Sequence, residues 1–297
     1  MCFGRSSCLN KKKQMKMKNN KNNGIIDAFV YLMVFVLVQV ITTYVVCVIW
    51  GLTEGKTVEQ SLKAVAAGTL PSSVTQLIVI QSVFSLIVMV IFLWKGWCRV
   101  SRTYLRSWPV GVLFWVTIAA LGTVIPSEAF LELVPLPDWS GDSLTGMLGS
   151  RWGYLAICIF APLVEELVFR GAILRALLGC MRSHWMAITI SAVLFAAVHF
   201  NPIQMPHAFC LGLLLGWMYY RTGSVIPGIM LHWVNNTVAY AVYNIFPQYH
   251  EATLSDLFGG NTTKVALAVL FSFCIFIPSV VQLHLRMKHP EEERMIS

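Results

Sequence analysis

The sequence predicts an all-α, polytopic transmembrane bundle of about eight helices, and three observations predict it. Apolar residues make up 57% of the 297 positions, whereas charged residues make up 12%. The mean hydropathy is +0.67. The apolar residues also fall into separated blocks of about 20, the length that crosses ~30 Å of hydrocarbon as helix. A soluble domain carries roughly 25% charged and 45–50% apolar residues, so this chain lacks the polar groups to cover its own surface in water. Uninterrupted blocks also exclude a β-barrel, which shows ~10-residue segments of alternating polarity.

The elements follow in chain order. Residues 1–23 are rich in Lys and Asn and read as a disordered, basic cytoplasmic tail, in which Met15 and Met17 are alternative starts. The apolar run over 25–50 is too long for a signal-peptide core and lacks a small-residue cleavage site, so it is a retained first span. Further spans are expected over 74–94, 110–125, 152–178, 185–199, 206–220, 225–243 and 265–283, with Trp and Tyr at many of their edges. The long loop 126–150, rich in Pro, Gly and Asp, leaves room for a short interfacial helix. Residues 24–285 read as one membrane domain, and 286–297 as a C-terminal tail.

Charge tests this map. The net charge is +8. Lys95, Arg99, Arg102, Arg106, Arg175, Arg182, Arg221, Arg286, Lys288 and Arg294 fall on the side of the basic N-terminus. Glu54, Glu59, Glu128, Glu132, Asp138, Asp142, Glu251 and Asp256 fall on the other. This separation places both termini in the cytoplasm of a multi-pass protein in the cell membrane. No basic face with interleaved aromatics calls for nucleic acid. The cysteines lack C-x-x-C spacing and read as buried hydrophobes.

Ionisable side chains in mid-span are costly and mark candidate sites. They gather in three short constellations. In the first, Glu166 and Arg170 lie four residues apart on one helical face, in the favourable order for an ion pair, while Glu165 points ~100° away. A carboxylate there, walled from water, is suited to act as a general base. The bland alternative is a buried salt bridge beside a snorkelling glutamate. The second is Phe195-x-x-x-His199, where a lone histidine near a helix end is more often a cap than a catalyst. The third is His232-x-x-x-Asn236, a neutral donor pair able to hold a carbonyl oxygen as it gains charge. Interhelical glue is the competing reading, and Asn235 also lies within helical reach.

Depth ties the three together. From the basic side, at 1.5 Å per residue, Glu165 lies roughly 15 Å in, His232 roughly 10 Å and His199 roughly 21 Å. Only the fifth helix needs a tilt or a deeper start to bring all of them to one level.

These motifs, Glu-Glu-x-x-x-Arg, Phe-x-x-x-His and His-x-x-x-Asn in order on successive spans, resemble the CAAX-protease and bacteriocin-processing (CPBP, or Abi) intramembrane peptidases. The resemblance covers about 161–240, within a core expected over about 150–245, and the first three helices match it only in being hydrophobic. It implies an endopeptidase acting on a hydrophobic or membrane-associated peptide or protein in the bilayer. Glu165 would be the base that activates water, and His199 would help bind that water. Glu166 and Arg170 would be the supporting pair, His232 and Asn236 would stabilise the oxyanion, and Phe195 would shape the site. The family has been described both as metalloproteases and as glutamate peptidases. A divalent metal such as Zn²⁺ is therefore left open, with Glu165, His199 and His232 as its candidate ligands, although no H-E-x-x-H is present.

Two other classes compete: a non-catalytic membrane immunity or binding protein, and an ion-coupled transporter. The transporter reading gains nothing from repeats, since none is visible. The Lys- and Asn-rich tail suits a low-GC bacterium, and an exported or leader peptide is then a better substrate than a prenylated one. Oligomeric state has no signal in the sequence.

Overall fold

The computed structural model describes residues 4–98, 104, 109–134, 136–140, 142–247 and 252–287, with the side chains of 4–22 and 142 outside that description. Arg99, Arg102, Arg106, Glu251, Lys288 and Arg294, which entered the charge map, lie outside the described residues. Among the described residues the structure is all helix, with no strand.

The first helix, α1, is Gly4–Thr53. Its backbone is helical through the stretch expected to be a disordered tail, and its apolar part is Asn23–Thr53. Prolonging a helix already nucleated by an apolar span costs little for residues such as Lys, Met and Gln. A short α2, Val58–Ala66, starts on a capping box between Thr57 and Gln60 and leads to α3, Val74–Trp94, capped by Ser73. Next comes α4, Val110–Leu133, which runs past the boundary expected at 125. Pro126 removes one backbone donor without ending the helix, because packing against neighbours holds the turn that the proline weakens. The loop then carries a short helix, α5, Asp142–Leu148.

Residues 151–180 form one continuous helical rod, α6, that changes pitch along its length. Wider π-helical turns over Tyr154–Phe160 and Phe169–Leu174 flank an α-helical centre, Ala161–Val168. After it come α7, His184–Ala197, α8, Met205–Thr222, and α9, Ile226–Ile245. A one-turn α10, Leu254–Leu257, precedes α11, Thr262–Arg286, which also carries an internal proline, Pro278.

Among the described residues, four helices are long and apolar enough to cross a membrane: Asn23–Thr53, Val74–Trp94, Val110–Leu133 and Thr262–Arg286. The helices that carry the sequence-predicted site fall short of that standard for a physical reason. Its changes of pitch split α6 into α- and π-helical segments of eight residues or fewer, α7 has only 14 residues, and His232, Asn235 and Asn236 dilute the apolar surface of α9. Their polar groups are tolerated because the long apolar helices shelter them: α3 and α1 pack on α6, while α4 packs on α9 and α11.

The core has two main parts and a small third one around Cys47, Leu70 and Ile80. Phe35, Phe84, Phe92, Phe169, Ile173, Leu174, Ile188 and Phe195 join α1, α3, α6 and α7. Val116, Ala119, Leu215, Met218, Leu231 and Leu283 join α4, α8, α9 and α11. Within the second, Gly122 sits where an added Cβ would stand 3.0 Å from the Phe276 backbone. A small residue there lets α4 and α11 touch along their backbones.

Candidate active site

The rod α6 is the axis of the site. Glu166 and Arg170 lie on one face, as their spacing predicts, and Arg170 Nη1 donates to Glu166 Oε1 at 2.7 Å. Both side chains are essentially without solvent contact. A buried guanidinium needs more than one partner, and Arg170 has two others. Its Nη2 donates to the Gly212 carbonyl at 3.3 Å, and its Cζ stands 4.3 Å from the centre of the Phe195 ring, over its face. Glycines let α8 and α9 come close. At Gly228 a Cβ would lie 2.7 Å from Glu166 Oε2, so the carboxylate occupies the space a side chain would take.

His232, on α9, connects the two glutamates. Its Nδ1 donates to Glu166 Oε1 at 3.4 Å, and its Nε2 stands 3.8 Å from Glu165 Oε2. A carboxylate held by Arg170 accepts and does not donate, so Nδ1 carries a proton and Nε2 is the nitrogen turned to Glu165. Glu165 Oε2 is buried with no hydrogen-bond partner, as is Glu166 Oε2. A buried, unsatisfied carboxylate oxygen is costly, and such groups concentrate at functional sites.

His199 is placed by the end of its own helix. At the close of α7 the backbone tightens: the His199 N–H donates to the Ala196 carbonyl instead of that of Phe195. The Phe195 carbonyl is thereby left over, and His199 Nδ1 donates to it at 2.8 Å. A carbonyl only accepts, so in the neutral ring Nε2 is the bare nitrogen. His199 then lines a cavity of about 60 Å³ together with Glu165, Val198, Phe35 and Gln39 of α1, and Gln81 and Phe84 of α3. The chain leaves the helix through Phe200, whose φ of 49° is a left-handed conformation rare for a bulky side chain.

Phe195 is the common packing partner. Its buried ring meets those of His199 at 5.0 Å and His232 at 5.9 Å, edge to face, in addition to the Arg170 contact.

Asn236 is held differently. Its Nδ2 donates to the Ile157 carbonyl at 3.0 Å, and its Oδ1 accepts from Asn235. The reason lies in α6. In the π-helical turn the Ala161 N–H reaches back five residues to Ala156. The next donor in that register would serve Ile157, but it is Pro162, which has no N–H. Asn236 supplies the missing donor and keeps one amide hydrogen.

Glu165, Glu166, Arg170, Phe195, His199 and His232 are thus gathered in one place, and Asn236 is fixed one turn beyond His232. Three polar groups escaped the sequence reading. Gln39 and Gln81 are uncharged, so a search for ionisable residues passes over them. His207 sits on α8, within electrostatic reach of His199 and His232, and its Nδ1 pairs with Ser127 Oγ at 3.0 Å. Its presence inside a predicted span was the available signal.

Glu165, His199 and His232 do not form a metal cage: among the described residues no group of three or more His, Cys, Asp or Glu side chains is placed to hold an ion.

Residues 147–238 match the family model described as type II CAAX prenyl endopeptidase Rce1-like. That segment supports the CAAX-protease family. It contains every residue named above from α6 to α9, and with the apolar helices it makes the chain a multi-pass membrane protein. The chain is also 28% identical over 134 residues to an uncharacterized 24.3 kDa protein of Escherichia coli, covering 42% of this chain and 58% of that protein's length. No solved structure matches.

Proposed function

We propose that the chain is an intramembrane endopeptidase that hydrolyses a peptide bond in a hydrophobic or membrane-associated peptide. The observation that carries this reading is the state of Glu165. Its Oε2 is buried without a hydrogen bond, shares a cavity with His199, and lies 3.8 Å from His232 Nε2.

In this reading Glu165 takes a proton from water as the water oxygen bonds to the substrate carbonyl carbon. His199 accepts the water's other hydrogen at Nε2 and fixes its direction. The carbonyl oxygen gains negative charge, which the second amide hydrogen of Asn236 and a protonated His232 Nε2 stabilise. When the C–N bond breaks, Glu165 returns its proton to the leaving amine. Glu166 and Arg170 keep His232 in place and do not exchange protons with substrate. Metal analysis of purified active protein tests the metallopeptidase alternative.

The full path is read as about eight crossings with both termini in the cytoplasm, since α6 to α9 also need a bilayer or a protein wall around them. In a bacterium the substrate is an exported or leader peptide, such as a bacteriocin precursor. The test is cleavage of candidate peptides by purified protein in lipid, comparing wild type with Glu165→Gln. Turnover is expected to fall by at least ~10²-fold. Undiminished cleavage would sink the reading, and full biological protection by the inactive variant would point to a non-catalytic immunity protein.

A further inference from the structure

The cavity beside Glu165 is only half built from the family-matched segment. Glu165, Val198 and His199 supply one side, and α1 and α3 supply Phe35, Gln39, Gln81 and Phe84 on the other. At about 60 Å³ it is too small for a substrate side chain and has room for a few water molecules. Its lining is amphipathic in a specific way: two phenylalanines and a valine, together with one carboxylate, one imidazole and two carboxamides.

Both glutamines lie well inside the spans Asn23–Thr53 and Val74–Trp94. An apolar side chain would serve a helix facing lipid better. Gln81 is also oriented: its Nε2 donates to Ser85 Oγ at 3.4 Å, with Ser85 itself buried, which fixes the amide and leaves its oxygen as an acceptor. A carboxamide both donates and accepts, so it can hold a water in either direction, yet it cannot take the proton meant for Glu165.

We propose that Gln39 and Gln81 are water-positioning residues, holding the attacking water against Glu165 and His199 from the side of the first two spans. The inference rests on the peptidase reading. It makes α1 and α3 part of the reaction chamber as well as its apolar wall. It also accounts for how a site inside an apolar bundle keeps water at its base. The phenylalanines exclude bulk solvent, and the carboxamides retain the few molecules the reaction consumes.

The test uses full-length protein in lipid, with Gln39→Met, Gln81→Met, the double variant and Gln81→Asn, alongside Glu165→Gln. Met keeps the volume and removes the polar atoms, so the bundle is expected to stay folded. Each Met variant should lower kcat about tenfold with KM within about twofold, because the water and not the substrate loses its hold. Gln81→Asn, which keeps a carboxamide, should recover part of that loss. Wild-type kcat in the double Met variant while Glu165→Gln is inactive would overturn this inference and leave the peptidase reading standing. Equal cleavage by Glu165→Gln and wild type would overturn both. In an experimental structure in lipid, ordered water touching both carboxamides and Glu165 is the expected result, and a dry chamber overturns the inference.

Discussion

Glu166 Oε1 lies 2.7 Å from Arg170 Nη1, and both side chains are sealed inside the bundle. Two charges buried together gain little over an apolar pair, but removing one strands the other. The pair therefore matters for what it positions: the same Glu166 oxygen receives His232 Nδ1.

Arg170→Met is expected to destabilise the protein by about 3–5 kcal/mol, because Glu166 is then an uncompensated buried charge. The double variant Glu166→Gln/Arg170→Met should be closer to wild type in stability than Arg170→Met alone, while remaining inactive. Reversible unfolding in mixed micelles, run on wild type, both single variants and the double, measures this. Additive losses would contradict it.

Gly228→Ala places a methyl 2.7 Å from Glu166 Oε2, so the carboxylate or the helix must move. Overpacking of this kind costs about 1–3 kcal/mol. The larger effect is expected on turnover, because the movement pulls Glu166 away from His232. Gly216→Ala is the comparison: its Cβ would meet the Ile188 side chain at 2.9 Å, away from any charged group. A loss of turnover at Gly228 well beyond that at Gly216, at matched stability, is the expected result.

Asn236 and Pro162 should be energetically coupled through the Ile157 carbonyl. Asn236→Ala leaves that carbonyl without a donor, at a cost of about 1–3 kcal/mol. Pro162→Ala restores a backbone N–H in the same place, so Asn236→Ala should cost less in that background. A double-mutant cycle on stability reads the coupling directly. Zero coupling would mean that the Asn236 amide is not held for this reason.

Asp138 anchors the loop after α4 to the turn after α7. Its Oδ1 accepts from the Ser140 hydroxyl and N–H and from Asn201 Nδ2, and Asn201 Oδ1 accepts the Trp139 N–H. These bonds, the Ser140 hydroxyl first, hold the carboxyl below its ordinary value of 3.8. A depressed folded value means the stabilisation is fully present above the unfolded pKa and disappears as pH falls through the folded one. Protection of the Trp139 amide from hydrogen exchange is thus expected to be flat through neutral pH and to fall only below about pH 4. In Asn201→Ala it should be low throughout, and a fall near pH 6 would assign the effect to another group.

The class of protein, the order of its helices and the charged part of the site were legible in the sequence because they depend on local rules. Hydropathy and block length state that lipid is the solvent, and a spacing of four residues puts Glu166 with Arg170 and Phe195 with His199 on any helix. The pairing of His199 with the Phe195 carbonyl follows from the same spacing, once the end of α7 is known.

Other features were decided only by the tertiary structure, because they depend on distances between segments far apart in the chain. Nothing local says that Gln39, Gln81, Glu165 and His199 line one cavity, or that His232 bridges two adjacent glutamates. Nor does it say that Asn236 completes a hydrogen bond which Pro162 leaves open on another helix. An uncharged amide in a span carries a weak signal by itself. It gains chemical meaning when packing sets it opposite a buried carboxylate.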